Sequence, residues 1–335
     1  MSKVRLTGLD AQDPLAYLAA LGCLLAVSDR SRKAGRAAPR MSFEFGAAVV
    51  PSLEGEFEDQ EELLNMLAAD LDALAGRGEE PRDPFLTFTY PDGGGKQVQD
   101  LKPPPEQFRA FALKLIEAGL PTERRTLDWA AATLTDVATD HSGNGKPFAL
   151  HFTAGQQRFL TVALELLDGA GTTPAKRAVD REDLRLAVFG PWPNDRELKV
   201  FSWSPTQDRA YALRAVDPSS DKKLGTPGAD WLALRGIGLL SSAPQGKAIV
   251  TSGVHGRWKT ASFSYPAWSE ALDEDGARML LRHPAMRDLE RDGEAPRGAL
   301  RTLPRGVEVL SCRISRSDQG GYGAFSRPSR RAPGG

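Results

Sequence analysis

The spacing of apolar residues changes near Gly169, and this change constrains the fold more than any other feature of the chain. Before Gly169, apolar side chains recur every three or four positions in several segments of helical length, with short strands between them. Beyond it, short alternating runs are broken by Pro and Gly, with one helical segment over 228–240. The sequence therefore predicts an α+β fold, with a helix-rich N-terminal half that contains short strands and a more β-rich second half.

The same change indicates a domain boundary. The segment GAGTTPAKR, residues 169–177, has the composition of a linker. We predict a helix-rich α+β domain over 1–170 and a strand-rich domain over 171–315. The remainder, 316–335, is poor in aliphatic residues and rich in Gly, Ser and Arg, which predicts a disordered basic tail. Such a tail either binds nucleic-acid phosphates weakly or only keeps the protein soluble.

Charge and cysteine content restrict the possible partners and the compartment. The chain has 43 Lys and Arg against 44 Asp and Glu, so any nucleic-acid contact must come from a local patch. Cys23 and Cys312 lie in apolar patterns without a CxxC spacing, which predicts two reduced core residues. No apolar run approaches the roughly 20 residues that span a bilayer, and the N-terminus lacks the order of a signal peptide. These features predict a cytoplasmic protein without membrane contact.

The sequence contains no convincing pattern for catalysis or cofactor binding. Its four histidines are His141, His151, His255 and His283. They form neither HxxxH nor HExxH, and the chain has no GxSxG serine elbow. GNGKP at 143–147 lacks the spacing of a phosphate loop. We therefore expect no catalytic residue, no metal and no cofactor; the alternative is a metal-dependent nuclease around Asp140, His141, Asp208 and the other histidines.

The first candidate site follows the first predicted helix. Asp13 is placed to cap this helix, and Leu15, Leu18, Leu21 and Leu25 mark one buried face. The next segment, RSRKAGRAAPR, predicts an exposed loop that carries Arg30, Arg32, Lys33, Arg36 and Arg40. These residues either form a solvated loop or contact phosphates.

The second candidate site is the start of the helix in HFTAGQQRFLTVALELL, residues 151–167. Thr153 and Gln156 have the T-x-x-Q spacing of a capping box, which predicts that the helix begins there. Its first amides could bind a phosphate, and Gly155 would permit close approach. The neighbouring candidate ligands are His151, Gln157 and Arg158. The alternative is a capped core helix without a ligand.

The third candidate site is FSWSPTQDRAYALRAVDPSSDKK, residues 201–223. Its apolar residues alternate with polar ones, and strands and turns account for most of the pattern. They do not require the polar cluster formed by Asp208, Arg209, Tyr211 and Arg214. An Asp208–Arg209 pair could orient the guanidinium toward a backbone or phosphate group.

Six motifs occur in a fixed order along the chain. They are D-P-L-x-Y-L-A-A-L-G (13–22), F-T-A-G-Q-Q-x-F-L (152–160), F-G-P-W (189–192), W-S-P-x-x-D-R-x-Y-A-L-R-x-x-D-P-S (203–219), G-A-x-W-L-A (228–233) and F-S-Y-P-x-W (263–268). With this order the chain, over residues 4–282, resembles a family of CRISPR-associated proteins from subtype I-G loci, formerly called I-U. Within those loci it is similar to large-subunit-like or helicase-extension accessory proteins.

The resemblance implies a role in antiviral defence beside a guide-RNA surveillance complex. It implies as partners the other CRISPR-associated proteins of the locus, guide RNA or target DNA, and a helicase-nuclease, and it brings no catalytic residues. We therefore interpret the chain as a non-catalytic subunit whose basic residues hold a nucleic-acid backbone while base pairing reads the sequence. The other interpretations are the nuclease described above and a pure protein–protein scaffold.

Overall fold

Helices and strands are mixed in the computed structural model, which confirms the predicted α+β class. The structure describes residues 1–118, 124–153, 157–170, 176–197, 201–207, 224–287, 300–316 and 323–331. The helices are α1 (Pro14–Lys33), α2 (Gln60–Ala75), α3 (Pro105–Glu117), α4 (Arg124–Thr133), α5 (Phe159–Asp168), α6 (Arg181–Phe189), α7 (Pro227–Gly236), α8 (Glu274–Leu281) and α9 (Pro284–Arg287).

The strands form two antiparallel sheets and two short hairpins. The first sheet has the order β1-β3-β2, with β1 (Ser2–Arg5), β2 (Arg40–Phe45) and β3 (Val49–Gly55). The hairpins are β4 (Tyr90–Pro91) with β5 (Gln97–Val98), and β6 (Ser242–Gln245) with β7 (Ala248–Thr251). The larger sheet contains β8 (Val254–His255), β9 (Ser262–Trp268), β10 (Val307–Arg316), β11 (Gly323–Phe325) and β12 (Ser329–Arg331).

Helix α1 is the centre of the core. Every residue from Pro14 to Asp29 is buried, so the predicted single buried face understates its burial. The reason is that α2, α7 and α8 all pack against this one helix. Its start is fixed as predicted, because Asp13 Oδ1 accepts the Leu15 N–H at 2.8 Å and Pro14 needs no donor in the first turn.

Helices α1 and α7 cross with their backbones in contact at two glycines. A Cβ atom on Gly22 would lie 1.8 Å from the carbonyl oxygen of Leu232. One on Gly236 would lie 2.0 Å from the carbonyl oxygen of Leu18. No side chain larger than hydrogen fits at either position, so the glycines permit an approach closer than the usual 8–10 Å between helix axes. This crossing joins the first motif, 13–22, to the segment that contains 228–233.

The predicted boundary near 169–180 does not separate two hydrophobic cores. One cluster of buried side chains includes Leu21 from α1, Leu167 from α5, Leu232 from α7 and Val309 from β10. Residues of both predicted domains therefore share a core. Among the described residues beyond 316, the prediction of a disordered tail is wrong, because β11 and β12 both pair with β10. Backbone pairing and the burial of Phe325 order this segment in spite of its composition.

Two further expectations concern cysteines and membranes. Cys23 and Cys312 are buried and free, which confirms them as core residues. Burial raises the pKa of both thiols far above the ordinary value, so neither is an activated nucleophile. Within the described ranges, no helix combines the length and the apolar character needed to cross a membrane.

Replacing Gly22 with Ala tests the crossing. The added methyl group collides with the backbone of α7, which cannot rotate away, so the helices must separate. We expect a loss in the free energy of unfolding of about 3 kcal/mol or more, at the upper end for overpacking. Gly78→Ala is the matched control, because a Cβ there meets nothing within 4 Å. Chemical denaturation compares the two; equal stability of both variants would contradict the crossing.

Candidate nucleic-acid interface

The predicted exposed loop over 30–40 is confirmed for residues 34–38, which include Arg36, but is wrong at its two ends. Helix α1 continues to Lys33, so its last turn carries Arg30, Arg32 and Lys33, and Arg40 begins β2. The helix extends into the predicted loop because cations are favourable at a helix C-terminus, where the dipole is negative. The helix also buries Ser31 in this turn, so the segment is anchored on one side.

The cations at this end of α1 are paired within the protein. Arg32 lies 2.6 Å from Asp29 and 3.0 Å from Glu274. Lys33 Nζ lies 3.0 Å from Glu80, and Arg36 donates to Glu62 at 2.8 Å. Intramolecular carboxylates therefore neutralise much of the charge that was predicted to meet phosphates. Arg30 is half-buried, and its Nε and Nη2 atoms have no hydrogen-bond partner among the described residues.

The predicted capping box of the second candidate site does not cap the helix. Helix α5 begins at Phe159, with Arg158 as N-cap and no side-chain cap from its own segment. Gly155 and Gln156 lie outside the described residues. The capping group comes from elsewhere in the chain: Asp100 Oδ1 accepts the Phe159 N–H at 3.1 Å. A carboxylate of the protein therefore already occupies the helix start that was predicted to bind phosphate.

His151 supports this carboxylate from inside the core. Its Nε2 atom lies 3.5 Å from Asp100 Oδ1 and 3.3 Å from Thr153 Oγ1. Burial lowers the pKa of His151, although the hydrogen bond to Asp100 opposes this shift. Burial alone would raise the pKa of Asp100, but the hydrogen bonds from His151 and the Leu101 amide bring it below its ordinary value. A neutral histidine thus holds an ionised aspartate, which is a structural arrangement rather than a phosphate site.

Arg158 lines a cleft beside this network. The cleft has a volume of about 250 Å³, and its wall is formed by Tyr90, Pro91, Asp92, Gly93, Val98, Asp100, Lys102, Pro104, Asn144 and Arg158. Gln157, next to Arg158, is half-buried. Two cations and two carboxylates share this cleft, so its charges are largely balanced. Of the predicted residues at this helix, the structure therefore places Arg158 at an open surface and His151 in the core.

The third candidate site is described only at its beginning. Asp208, Arg209, Tyr211 and Arg214 lie outside the described residues. Over 205–207 the chain forms a 3₁₀ turn, and the preceding Trp203 is buried, with its Nε1–H donating to the carbonyl of Leu150 at 2.9 Å. The strand that the alternation predicts is therefore absent from 201–207.

Asp13 and Ser204 join two motifs that the sequence analysis treated separately. Ser204 Oγ donates to Asp13 Oδ2 at 2.6 Å, so the W-S-P motif is attached to the cap of α1. Burial raises the pKa of Asp13 to about 6, although the hydrogen bonds from Ser204 and the Leu15 amide oppose the shift. No pattern in the sequence indicated this contact, because the two residues are far apart along the chain and each also fits a purely local role.

A basic surface that the sequence analysis missed is built from three segments without Asp or Glu. These segments are 141–153, 241–269 and 309–316, and we call their surface the acid-free face. The first lies against the second, because the Ala149 N–H donates to Thr251 Oγ1 at 2.9 Å. The third joins them: the Ile314 N–H donates to the carbonyl of Ala261 at 2.8 Å, and Arg316 Nη2 donates to the carbonyl of Ala149.

Positive charge is concentrated on the acid-free face, although the net charge of the chain is close to zero. Its six cations are Lys146, Lys247, Arg257, Lys259, Arg313 and Arg316. The rest of the chain has 37 Lys and Arg against 44 Asp and Glu, a net charge of −7. Lys247, Arg257, Lys259 and Arg313 are exposed. The sequence contains one signal for this face: no Asp or Glu occurs between Asp230 and Glu270, over residues 231–269. A local patch of this kind produces a positive field that the net charge conceals.

Asp13→Asn tests the burial of the Asp13 carboxylate. Its folded pKa of about 6 lies above the ordinary aspartate value of 3.8, so the folded state binds more protons between these values and stability falls as pH rises through them. Asn is also a good N-cap. We expect the variant to gain stability over the wild type at pH 8 by up to about 3 kcal/mol, and by much less at pH 4.5.

Thermal unfolding at the two pH values measures the difference. Asp59→Asn is the matched control, because Asp59 is also an N-cap, with its Oδ1 accepting the Glu62 N–H at 2.9 Å, but it is exposed. An advantage of Asp13→Asn that is equal at both pH values would show that the carboxylate is not buried as described.

Comparison with known proteins does not identify a function for the acid-free face. No protein-family model, curated protein or solved structure matches the chain. In the part of the chain that the structure describes, no three His, Cys, Asp or Glu side chains are grouped to hold a metal ion. The acid-free face and the order of the six motifs are therefore the observations that bear on the function of the chain.

Proposed function

We propose that the chain is a non-catalytic subunit or accessory factor of a subtype I-G CRISPR surveillance complex, acting in antiviral defence in the cytoplasm. In this proposal it contacts the backbone of guide RNA or target DNA, and it assembles with other CRISPR-associated proteins of the locus and their helicase-nuclease. The order of the six motifs supports the family. The acid-free face is the observation that carries nucleic-acid contact.

The chemistry of the acid-free face fits phosphates better than the other partner classes. Phosphate contacts need cations that are not already neutralised by neighbouring carboxylates, since affinity comes from releasing counterions from the nucleic acid. The end of α1 meets this requirement poorly because Arg32, Lys33 and Arg36 have carboxylate partners. The acid-free face meets it better, because Lys247, Arg257 and Arg313 are exposed on segments that contain no carboxylate of their own. Backbone contact is also all that a subunit needs when base pairing reads the sequence.

The geometry gives the nuclease alternative little support. Asp140 Oδ1 accepts the N–H groups of Ser142 at 2.8 Å and Asn144 at 3.1 Å, so this carboxylate already closes a turn. His141 beside it is exposed. His151 is buried next to Asp100, where it supports the start of α5. Metal-dependent cleavage that is lost in His141→Ala would establish the alternative.

Charge reversal tests the face. The variant Lys247→Glu, Arg257→Glu, Arg313→Glu removes three exposed cations from the acid-free face. Its matched control, Lys114→Glu, Arg301→Glu, Arg305→Glu, changes three exposed cations outside it by the same charge. We expect the first variant to weaken binding of a single-stranded oligonucleotide strongly and to flatten the slope of log K against log salt by about 2. The control should lie close to the wild type in both quantities.

Two outcomes of this experiment would oppose the proposal. Wild-type affinity that does not change between low and moderate salt would exclude a phosphate-contacting surface. Equal losses in both charge-reversal variants would show that net charge, rather than the acid-free face, governs binding. Complex membership has its own test: co-purification with the other proteins of the locus, with and without nuclease treatment, should retain them, and their absence would contradict it.

A further inference from the structure

Trp258 is exposed, whereas Trp192 is half-buried and the other four tryptophans are fully buried. Trp258 lies between β8 and β9, and 58% of its surface is exposed. Trp129, Trp203, Trp231 and Trp268 are all at most 1% exposed. Burying an indole ring is strongly favourable, so an exposed one needs an explanation other than folding.

The ring of Trp258 is held in place from one side by Arg316. The guanidinium carbon of Arg316 lies 3.7 Å from the centroid of the indole ring and 5.2 Å from that of Phe152. Arg316 Nη2 donates to the carbonyl of Ala149, which fixes the guanidinium plane. The indole is therefore covered on one face by a cation, and its exposed surface lies on the other side. A ring that is already ordered loses little conformational entropy when a ligand stacks on it.

Arg316 is itself unusual among the described residues. Its Nε and Nη1 atoms are buried and have no hydrogen-bond partner there. Burial lowers the pKa of the guanidinium to about 10, which still leaves it charged at neutral pH. Two aromatic rings, those of Trp258 and Phe152, contact this charge, so the guanidinium holds the indole from below.

We propose that Trp258 is a stacking platform for a base of a single-stranded nucleic acid, with Arg316 beneath the ring and the cations of the acid-free face along the phosphates. Arg257 and Lys259 flank Trp258 in the chain, and both are exposed. An aromatic ring beside a positively charged surface is the arrangement by which proteins bind single strands independently of sequence. A duplex does not fit, because its bases are already stacked on one another.

This inference rests on the proposed function, because it assigns a ligand form to the same acid-free face. It adds a claim that charge alone does not make: part of the affinity comes from an uncharged contact with a base. Stacking should contribute to affinity without altering the number of phosphates contacted. The two contributions can therefore be measured separately by comparing salt slopes.

The experiment measures fluorescence anisotropy of labelled oligo-dT and oligo-U of about 15 nucleotides, near the upper site size for one binding domain. The wild-type protein is compared with Trp258→Ala and Trp258→Phe. We expect Trp258→Ala to lose about tenfold in affinity with an unchanged salt slope, and Trp258→Phe to retain most of the affinity. The oligo-dT and oligo-U arms distinguish DNA from RNA, and a duplex of equal length should show little dependence on Trp258.

Ile116→Ala is the matched control, because Ile116 is 63% exposed on α3, outside the acid-free face. If Trp258→Ala binds single strands as well as the wild type does, the platform is overturned while the proposed function stands. If the wild type binds no nucleic acid, both fail. If Trp258→Ala binds nucleic acid as the wild type does but no longer associates with a protein subunit of the complex, Trp258 is a protein contact and the platform is again overturned.

Discussion

The contact of two helix backbones at Gly22 and Gly236 is the constraint on which the rest of the structure depends. It brings α7 so close to α1 that Arg235, one residue before Gly236, lies inside the core at 1% exposure. A buried guanidinium is costly unless it is paired. Arg235 donates to Asp29 of α1 and, at 3.1 Å, to Asp70 of α2. The crossing and this ionic cluster therefore fix three helices relative to one another, and breaking the cluster would leave an unpaired charge in the core.

This cluster also accounts for the pairing of cations at the end of α1. Asp29 pairs with Arg32 as well as with Arg235, and Glu274 pairs with both Arg32 and Arg278. The carboxylates that compensate buried arginines thus also neutralise cations at the end of α1. The acid-free segments, in contrast, contain six cations and no carboxylate of their own. Charge is therefore distributed unevenly between the two regions, which a net charge of −1 does not reveal.

Local patterns in the sequence predicted the parts of the fold that local physics determines. The start of α1 followed from Asp13, whose Oδ1 accepts the Leu15 N–H at 2.8 Å. Prediction failed where a distant residue decided the outcome. The capping group of α5 is Asp100 rather than Thr153, and the strands after residue 322 form because β10 offers them partners. The exposure of Trp258 and its contact with Arg316 are likewise products of the tertiary structure, so no spacing of residues could show them.

Ultraviolet crosslinking of a bound single-stranded oligonucleotide, followed by mass spectrometry of the peptides, reports the position of the nucleic acid on the protein rather than its affinity. If the acid-free face holds the backbone, as we propose, crosslinks should be concentrated in peptides that contain 247–259 and 313–316, with Trp258 among the modified residues. Crosslinks confined to the end of α1 over 30–36, or to the sheet formed by β1, β2 and β3, would show that the nucleic acid binds elsewhere.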